Sequence, residues 1–188
     1  LKYPENSAGS IMTTEFVDLT PDMAARDAIK RIRTIGLEKE TINVCYITDY
    51  GRRLLGIVSL RDLILADDEA KLNTFMEENV ISVSTLTDQE ETAQMFVKYD
   101  LTVIPVVDGE NRLVGIVTVD DALDVLQEEV TEDFEKMAAV TPSGKPYLKT
   151  NVIELYKSRI PWLLFLMISA TFTGLIITKY ENALAVYA

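Results

Sequence analysis

The hydrophobic pattern changes character along the chain. Up to about residue 135, apolar positions come in short runs separated by turn residues. Val80–Ser84, Thr102–Val107 and Leu113–Val117 are β-branched runs that read as strands. Asp108-Gly109-Glu110-Asn111 between the last two reads as a turn. Asp88–Lys98 has helical spacing instead, with Ala93, Phe96 and Val97 apolar, and another helix is predicted from near Thr118. The order is strand, helix, strand, strand, helix. Gly115 inside a strand suggests close backbone approach, and Pro105 suggests an edge position or a strand end. Cys45, between Val44 and Tyr46 on a strand, reads as a small buried residue rather than a reactive thiol.

Ile160–Thr178 is a different material: 19 residues without one ionisable group. A helix of about 20 apolar residues crosses the ~30 Å bilayer core. A buried helix of a large soluble core is the other reading. The C-terminal position excludes a secretory signal. Trp162 and Tyr180 suit the two interfaces, and Ser169, Thr171 and Thr173 can bond within their own helix. Lys145, Lys149, Lys157 and Arg159 precede the span and only Lys179 follows it, which places residues 1–159 in the cytoplasm and the chain in the cell membrane. With Leu1 at one end and Ala188 ten residues past the span, the chain is expected to be a fragment of a larger membrane protein.

The soluble part repeats itself. Arg53-Leu-Leu-Gly-Ile-Val-Ser-Leu-Arg-Asp62 matches Arg112-Leu-Val-Gly-Ile-Val-Thr-Val-Asp-Asp121 at an offset of 59, with six of ten positions identical. Leu19-Thr20 matches Leu86-Thr87 at an offset of 67, so eight extra residues are expected in the first copy, around Leu37–Thr41. Met12 answers Met76. Two copies are too few for a solenoid and suggest a pseudo-symmetric pair.

Composition then narrows the chemistry. There is no histidine, which removes His-based triads and His-ligated metal sites. One cysteine makes neither an internal disulfide nor a Cys-rich zinc site. A membrane-tethered hydrolase lacks a credible nucleophile and base, so no enzyme is expected. The net charge of −12 argues against nucleic acid as a partner. Residues 62–135 hold 20 of the 30 acidic side chains and only three basic ones, Lys71, Lys98 and Arg112.

The acidic helix concentrates that charge. At about 100° per residue, Asp121, Asp124, Glu128, Glu132 and Glu135 share one narrow face, flanked by Glu129 and Asp133. Leu123, Leu126, Val130 and Phe134 are expected opposite. A solvated acidic face is the bland reading, but like charges at i,i+4 each cost roughly 0.2–0.5 kcal/mol. The run Asp124–Glu128–Glu132 has no interspersed lysine, and Asp88, Glu90, Glu91 and Asp100 form a second acidic group. Mg²⁺ takes hard oxygen ligands, keeps several waters and binds through few carboxylates. A wide carboxylate surface therefore suits weak binding of several hydrated Mg²⁺ ions. No EF-hand loop is present. Ser59 and Thr118 each open a helix with Asp at the third following position, Asp62 and Asp121, as in a capping box.

The paired RLLGIVSLRD and RLVGIVTVDD segments resemble the signature of CBS domains, and two in tandem look like a Bateman module. Tyr3-Pro-Glu-Asn-Ser-Ala-Gly-Ser-Ile-Met-Thr13, Asp88-Gln-Glu-Glu91 and Thr118-Val-Asp-Asp-Ala-Leu-Asp-Val-Leu126, followed by the span, are similar to the MgtE family of magnesium channels and transporters. The resemblance runs over roughly residues 3–180. It implies an α/β fold with a first CBS domain over 1–70 and a second over 71–139. A linker and connecting (plug) helix over 140–159 and the first transmembrane helix over 160–188 follow. The linker carries Pro142, Ser143, Gly144 and Pro146, the short helix Asn151–Arg159 is capped by Thr150 or Asn151, and Pro161 is expected to make a joint. The resemblance further implies a homodimer through the CBS domains and Mg²⁺ ligands at Asp88, Glu90, Asp100, Asp121, Asp124, Glu129, Glu132 and Asp133. In CBS families Ser59, Asp62, Thr118 and Asp121 also correspond to an adenine-nucleotide ribose site, so ATP stays open beside the capping reading. The expected function is a cytosolic Mg²⁺-sensing module that closes the pore when Mg²⁺ bridges its acidic residues. The alternative is an adenine-nucleotide-gated CBS regulator of another membrane transporter.

Overall fold

The computed structural model describes residues 3–137 and 152–185. They fall into two units, Leu1–Leu126 and Gln127–Ala188. The first holds two three-stranded sheets. One is built from β1 (Asp18–Leu19), β2 (Val44–Thr48) and β3 (Leu54–Ser59), the other from β4 (Val83–Ser84), β5 (Val103–Val107) and β6 (Leu113–Thr118). In each, the short strand pairs parallel with the central one, which pairs antiparallel with the third. Helices α1 (Ala8–Ile11), α2 (Ala25–Ile35), α3 (Leu60–Leu65), α4 (Gln89–Tyr99) and α5 (Val119–Met137) pack around them.

The spacing of buried residues explains the helices. α2 buries Ala25, Ala28 and Ile32, and α4 buries Thr92, Ala93 and Phe96, one stripe each. The strands are apolar nearly throughout, because helices cover one sheet face and the other sheet covers the second. Phe16, Tyr46 and Leu54 meet Val107, Leu113 and Ile116 in a cluster that joins the two sheets. Cys45 is fully buried on the other, helix-covered face of β2 with Ala28, Ile32 and Leu63, and desolvation pushes its thiol pKa up to about 12, which fits an inert residue.

The two copies superimpose element by element, but not with the expected insertion. Leu19 pairs with Ile47 and Val83 with Val106, so Leu19 corresponds to Val83 and not to Leu86. Helices α2 and α4, both 11 residues long, start at Ala25 and Gln89 and keep that same offset of 64. After the helix the offset falls to 59, as for Ile47 and Val106. The first copy therefore carries five extra residues, not eight. They lie after Ile35, in the stretch holding the 3-10 turn Gly36–Glu38, where the sequence placed them.

The copies exchange their leading segments. Thr13 bridges Ile116 of β6, while Glu77 bridges Ile57 of β3. Met12 packs over Gly115 and Met76 over Gly56. A Cβ on Gly115 would lie 2.8 Å from the Thr13 carbonyl oxygen, and one on Gly56 2.8 Å from that of Glu77. The close backbone approach expected at Gly115 is present, and each sheet receives its flanking segment from the other half.

Pro105 corrects a second expectation, since it sits in the central strand β5. Its partner Ile116 gives both its N–H and its C=O to Thr13. Pro105 therefore owes β6 no bond, and on its other side β4 reaches only Val106 and Val107. The missing N–H costs no ladder bond.

The β2–β3 and β5–β6 turns are laced together. Leu54 N–H donates to the Asn111 carbonyl and Leu113 N–H to the Arg52 carbonyl, at 3.0 and 2.9 Å. Arg52 Nη2 then reaches the Leu113 carbonyl and Asn111 Nδ2 the Leu54 carbonyl. Arg52 and Asn111 occupy equivalent positions and both adopt positive φ, 65° and 61°.

In the second unit, α6 (Val152–Ala185) is one continuous helix. The helix does not end at Pro161 but runs through it, where proline leaves one i→i−4 bond unmade and its ring crowds the carbonyl one turn back. The expected linker 140–149 and the caps Thr150 and Asn151 lie outside the described residues. Arg159–Tyr180, 22 residues of mean hydropathy 2.1, is long and apolar enough to cross a membrane, and none of it is buried. Thr171 and Thr173 return their hydroxyls to the Met167 and Ser169 carbonyls of their own helix.

Candidate functional site

The acidic candidates sit on α4 and α5. Asp88 is the N-cap of α4: its Oδ1 accepts from the N–H groups of Glu90 at 2.8 Å and Glu91 at 3.4 Å. Its carboxylate thus already serves the helix, with one oxygen left over. Glu90 Oε1 accepts from Gln94 Nε2 at 3.0 Å. Asp100 closes the other end of α4 in the left-handed region, φ 53° and ψ 44°. At 1.5 Å rise per residue the two caps are about 18 Å apart, so Asp88 and Asp100 cannot share one ion within a chain.

Helix α5 is continuous from Val119 to Met137, so its period places Asp121, Asp124, Glu128 and Glu132 on one stripe as expected. Asp124 and Asp133 are exposed; Asp121, Glu129 and Glu132 are half-buried. Asp121 Oδ2 accepts from the Thr118 hydroxyl at 2.7 Å. One expectation fails at the far end. Lys136 Nζ lies 2.7 Å from Glu132, so the stripe does end on a cation. Glu132 raises the Lys136 pKa in turn.

The apolar face of α5 is only partly where periodicity put it: Leu126 is half-buried against the second cluster, as expected. The core takes Ala122 and Val125, small enough for close approach to the sheet. Leu123, Val130 and Phe134, expected to be buried, are 57%, 55% and 64% exposed. Among the described residues no three acidic, cysteine or histidine side chains converge closely enough to hold a metal ion. The candidates lie at the N-terminal turn and C-cap of α4 and along α5, not in a cage.

The two Ser/Thr-x-x-Asp pairs are formed. The Ser59 hydroxyl accepts from Asp62 N–H at 3.1 Å and donates to Asp62 Oδ2 at 2.6 Å, so capping needs no ligand. Thr118 and Asp121 make the equivalent side-chain bond. The double turn of Arg52 and Asn111 was not singled out from sequence; its signal was the shared 59-residue offset ahead of Arg53 and Arg112.

The dual use of Asp88 separates two effects. Asp88→Asn keeps a capping oxygen and loses the charge; Asp88→Ala loses both. The metal-free melting temperature should be nearly unchanged for Asp88→Asn, whereas Asp88→Ala should lose about 1 kcal/mol. Thermal melts in EDTA check this, and equal losses for both variants would place the effect in the charge rather than the cap.

The sequence profile of the CBS domain matches residues 8–69 and 72–128. The chain is 42% identical over 183 residues to the magnesium transporter MgtE of Thermus thermophilus, covering 97% of this chain and 41% of that one. It thus spans about two fifths of the length of that curated relative. A crystal structure of the soluble part of a magnesium transporter superimposes with a TM-score of 0.67 at 42% identity, over 68% of this chain and 50% of that one. The cytosolic domain of the Mg²⁺ channel MgtE in complex with ATP superimposes with a TM-score of 0.64 at 47% identity, over 65% and 50%. The chain belongs to the CBS-domain family, as a tandem pair whose MgtE magnesium-transporter relatives match it over nearly its whole length.

Proposed function

We propose that residues 1–159 form the cytosolic Mg²⁺-sensing module of a Mg²⁺ channel or transporter in the cell membrane, and that Arg159–Tyr180 is its first membrane helix. The observation that carries this reading is the excess of carboxylates on α4 and α5, relieved only by Lys98 and Lys136, in a chain 42% identical to a magnesium transporter. The proposed division keeps a first CBS domain over 1–70 and a second over 71–139, with the leading segments exchanged between them. A connecting helix before residue 160 then links the module to the span.

The eight carboxylates, Asp88, Glu90, Asp100, Asp121, Asp124, Glu129, Glu132 and Asp133, act between two copies of the chain. At low Mg²⁺ the facing surfaces repel. At high Mg²⁺ hydrated ions bridge them, the dimer closes, and the connecting helices block the pore. Mg²⁺ drives closure by as much as it binds the closed arrangement better than the open one. Support for a homodimer comes from equivalent apolar residues left exposed in each repeat, Ile64 at 65% and Leu123 at 57%.

ATP is a second ligand of the same module in this proposal, at Ser59, Asp62, Thr118 or Asp121. The specific support is the ATP complex of a cytosolic domain 47% identical to this chain.

Thermal melts of the full chain in detergent, at matched ionic strength, test the sensor. A Mg²⁺ concentration ten times the dissociation constant should add about 1.4 kcal/mol per site. An equal response to Na⁺ at that ionic strength would sink the Mg²⁺ reading. A response to ATP with none to Mg²⁺ would favour the nucleotide-gated regulator.

A further inference from the structure

We propose that Lys136 is a tethered competitor for Mg²⁺: its ammonium holds the carboxylates at the end of α5 when the ion is scarce, and Mg²⁺ must displace it to bind there. This rests on the sensor reading above and concerns what sets the sensor's threshold. Lys136 is the one basic residue of α5. Its Nζ lies 2.7 Å from Glu132 Oε1, and the two side chains are 56% and 43% exposed. Asp133 and Glu129 attract the same ammonium, less strongly than Glu132 does.

The helix period gathers these four groups. Glu129, Glu132 and Asp133 stand seven, four and three residues before Lys136, so all share one face. Side chains on a helix lean toward its N-terminus, which carries the lysine back over the acids. Glu129, Glu132 and Asp133 are three of the eight proposed Mg²⁺ ligands, so two cations claim the same oxygens. Carboxylates with no softer donor among them suit Mg²⁺, a hard cation that binds oxygen. The ammonium is a compact point charge with three donors, and it offers those oxygens one positive charge against the ion's two.

This end of the acidic surface differs from the rest. Asp121 accepts from the Thr118 hydroxyl and Asp88 from N–H groups of its own helix, neutral donors that leave the negative charge in place. Among the described residues, Glu132 is the only one of the eight in an ion pair. An exposed i,i+4 pair of this kind is worth only about twofold in an equilibrium constant, so it yields to a divalent ion. A positive charge kept about 6 Å from a bound divalent ion opposes it by up to roughly tenfold more in water, less where salt screens it. Lys136 therefore raises the Mg²⁺ concentration at which this end of α5 fills, without blocking it.

Mg²⁺ titration of the full chain in detergent, read as melting temperature at constant ionic strength, tests this. Lys136→Gln removes the charge at an exposed position in the last turn, where folding is not at risk. It should reach its half-maximal rise at about three- to tenfold lower Mg²⁺ than the wild type. Lys136→Arg keeps the charge and should stay within about twofold of the wild type. Lys71→Gln removes the same unit of charge at an exposed position away from α5, and should also stay within about twofold. A Lys136→Gln midpoint equal to that of the wild type would overturn the proposal, as would an equal shift in Lys136→Arg or Lys71→Gln. A wild type with no Mg²⁺-specific rise removes the sensor reading and this proposal together. A wild-type rise with an unmoved Lys136→Gln midpoint removes the proposal alone.

Discussion

Replacing Asp121 and Asp124 by asparagine and Glu132 by glutamine should raise the metal-free melting temperature and remove most of the rise produced by Mg²⁺. The stripe holds like charges at successive i,i+3 and i,i+4 positions from Asp121 to Glu135. Each such pair costs roughly 0.2–0.5 kcal/mol, and the triple change relieves four of them. It also loses the attraction between Glu132 and Lys136, worth about the same as one pair. Asparagine at 121 can still accept from the Thr118 hydroxyl. The net gain is about 0.5–1.5 kcal/mol, or roughly 1–6 °C for a chain of this size. Packing is spared because the residues that α5 buries are Ala122 and Val125. Under the proposed function, the full-length protein carrying the same variant should need more Mg²⁺ for inhibition of uptake. Inhibition at the wild-type Mg²⁺ concentration would reduce the stripe to a solvated face and pass the role to Asp88, Glu90 and Asp100.

Gly115→Ala should cost about 1–3 kcal/mol, a drop of roughly 2–12 °C in melting temperature, while Gly109→Ala changes little. A Cβ at 115 would stand 2.6 Å from Met12 Sδ and 2.8 Å from the Thr13 carbonyl oxygen. The thioether can swing away. The carbonyl cannot, because Thr13 and Ile116 exchange two backbone hydrogen bonds of 2.8 and 2.9 Å. Making room means stretching both. A Cβ on Gly109 meets nothing within 4 Å. Gly56→Ala should behave like Gly115→Ala, since Glu77 and Ile57 form the matching bridge. Differential scanning calorimetry of the three variants checks the ordering, and a Gly115→Ala protein as stable as Gly109→Ala would mean that the leading segment is not held to β6.

Much of this architecture was legible in the sequence because period and turn chemistry are local. The duplicated strand–turn–strand, the Ser59 and Thr118 caps and the uncharged span each sit within a dozen or two residues. What was misread is non-local. The Leu-Thr dipeptides at 19 and 86 looked equivalent by identity, but strand register, which sets equivalence, ties Leu19 to Val83. Pro105 looked like an edge residue because sequence does not say which side of a strand goes unpaired. On α5, periodicity separated apolar from acidic positions but could not say which apolar stripe meets the sheet. Close approach selected Ala122 and Val125 and left Leu123, Val130 and Phe134 outside. The eight acidic candidates were read as one set. They were expected to hold several hydrated ions, and Asp88 and Asp100, about 18 Å apart at the two ends of α4, cannot share one within a chain.

The exchanged leading segments bear on how this chain reaches its fold. Thr13 must find Ile116, closing a loop of about 100 residues, before β6 gains its neighbour. That closure carries a larger entropy cost than either hairpin, and the cost is repaid only by contacts at the far end. Neither repeat is complete without the other's opening residues, so cutting the chain between Glu69 and Leu72 would leave two halves that each lack a flank. A duplication joined in this way unfolds as one cooperative body. Strain applied to either repeat is therefore felt by both, because each holds a segment of the other against its own sheet.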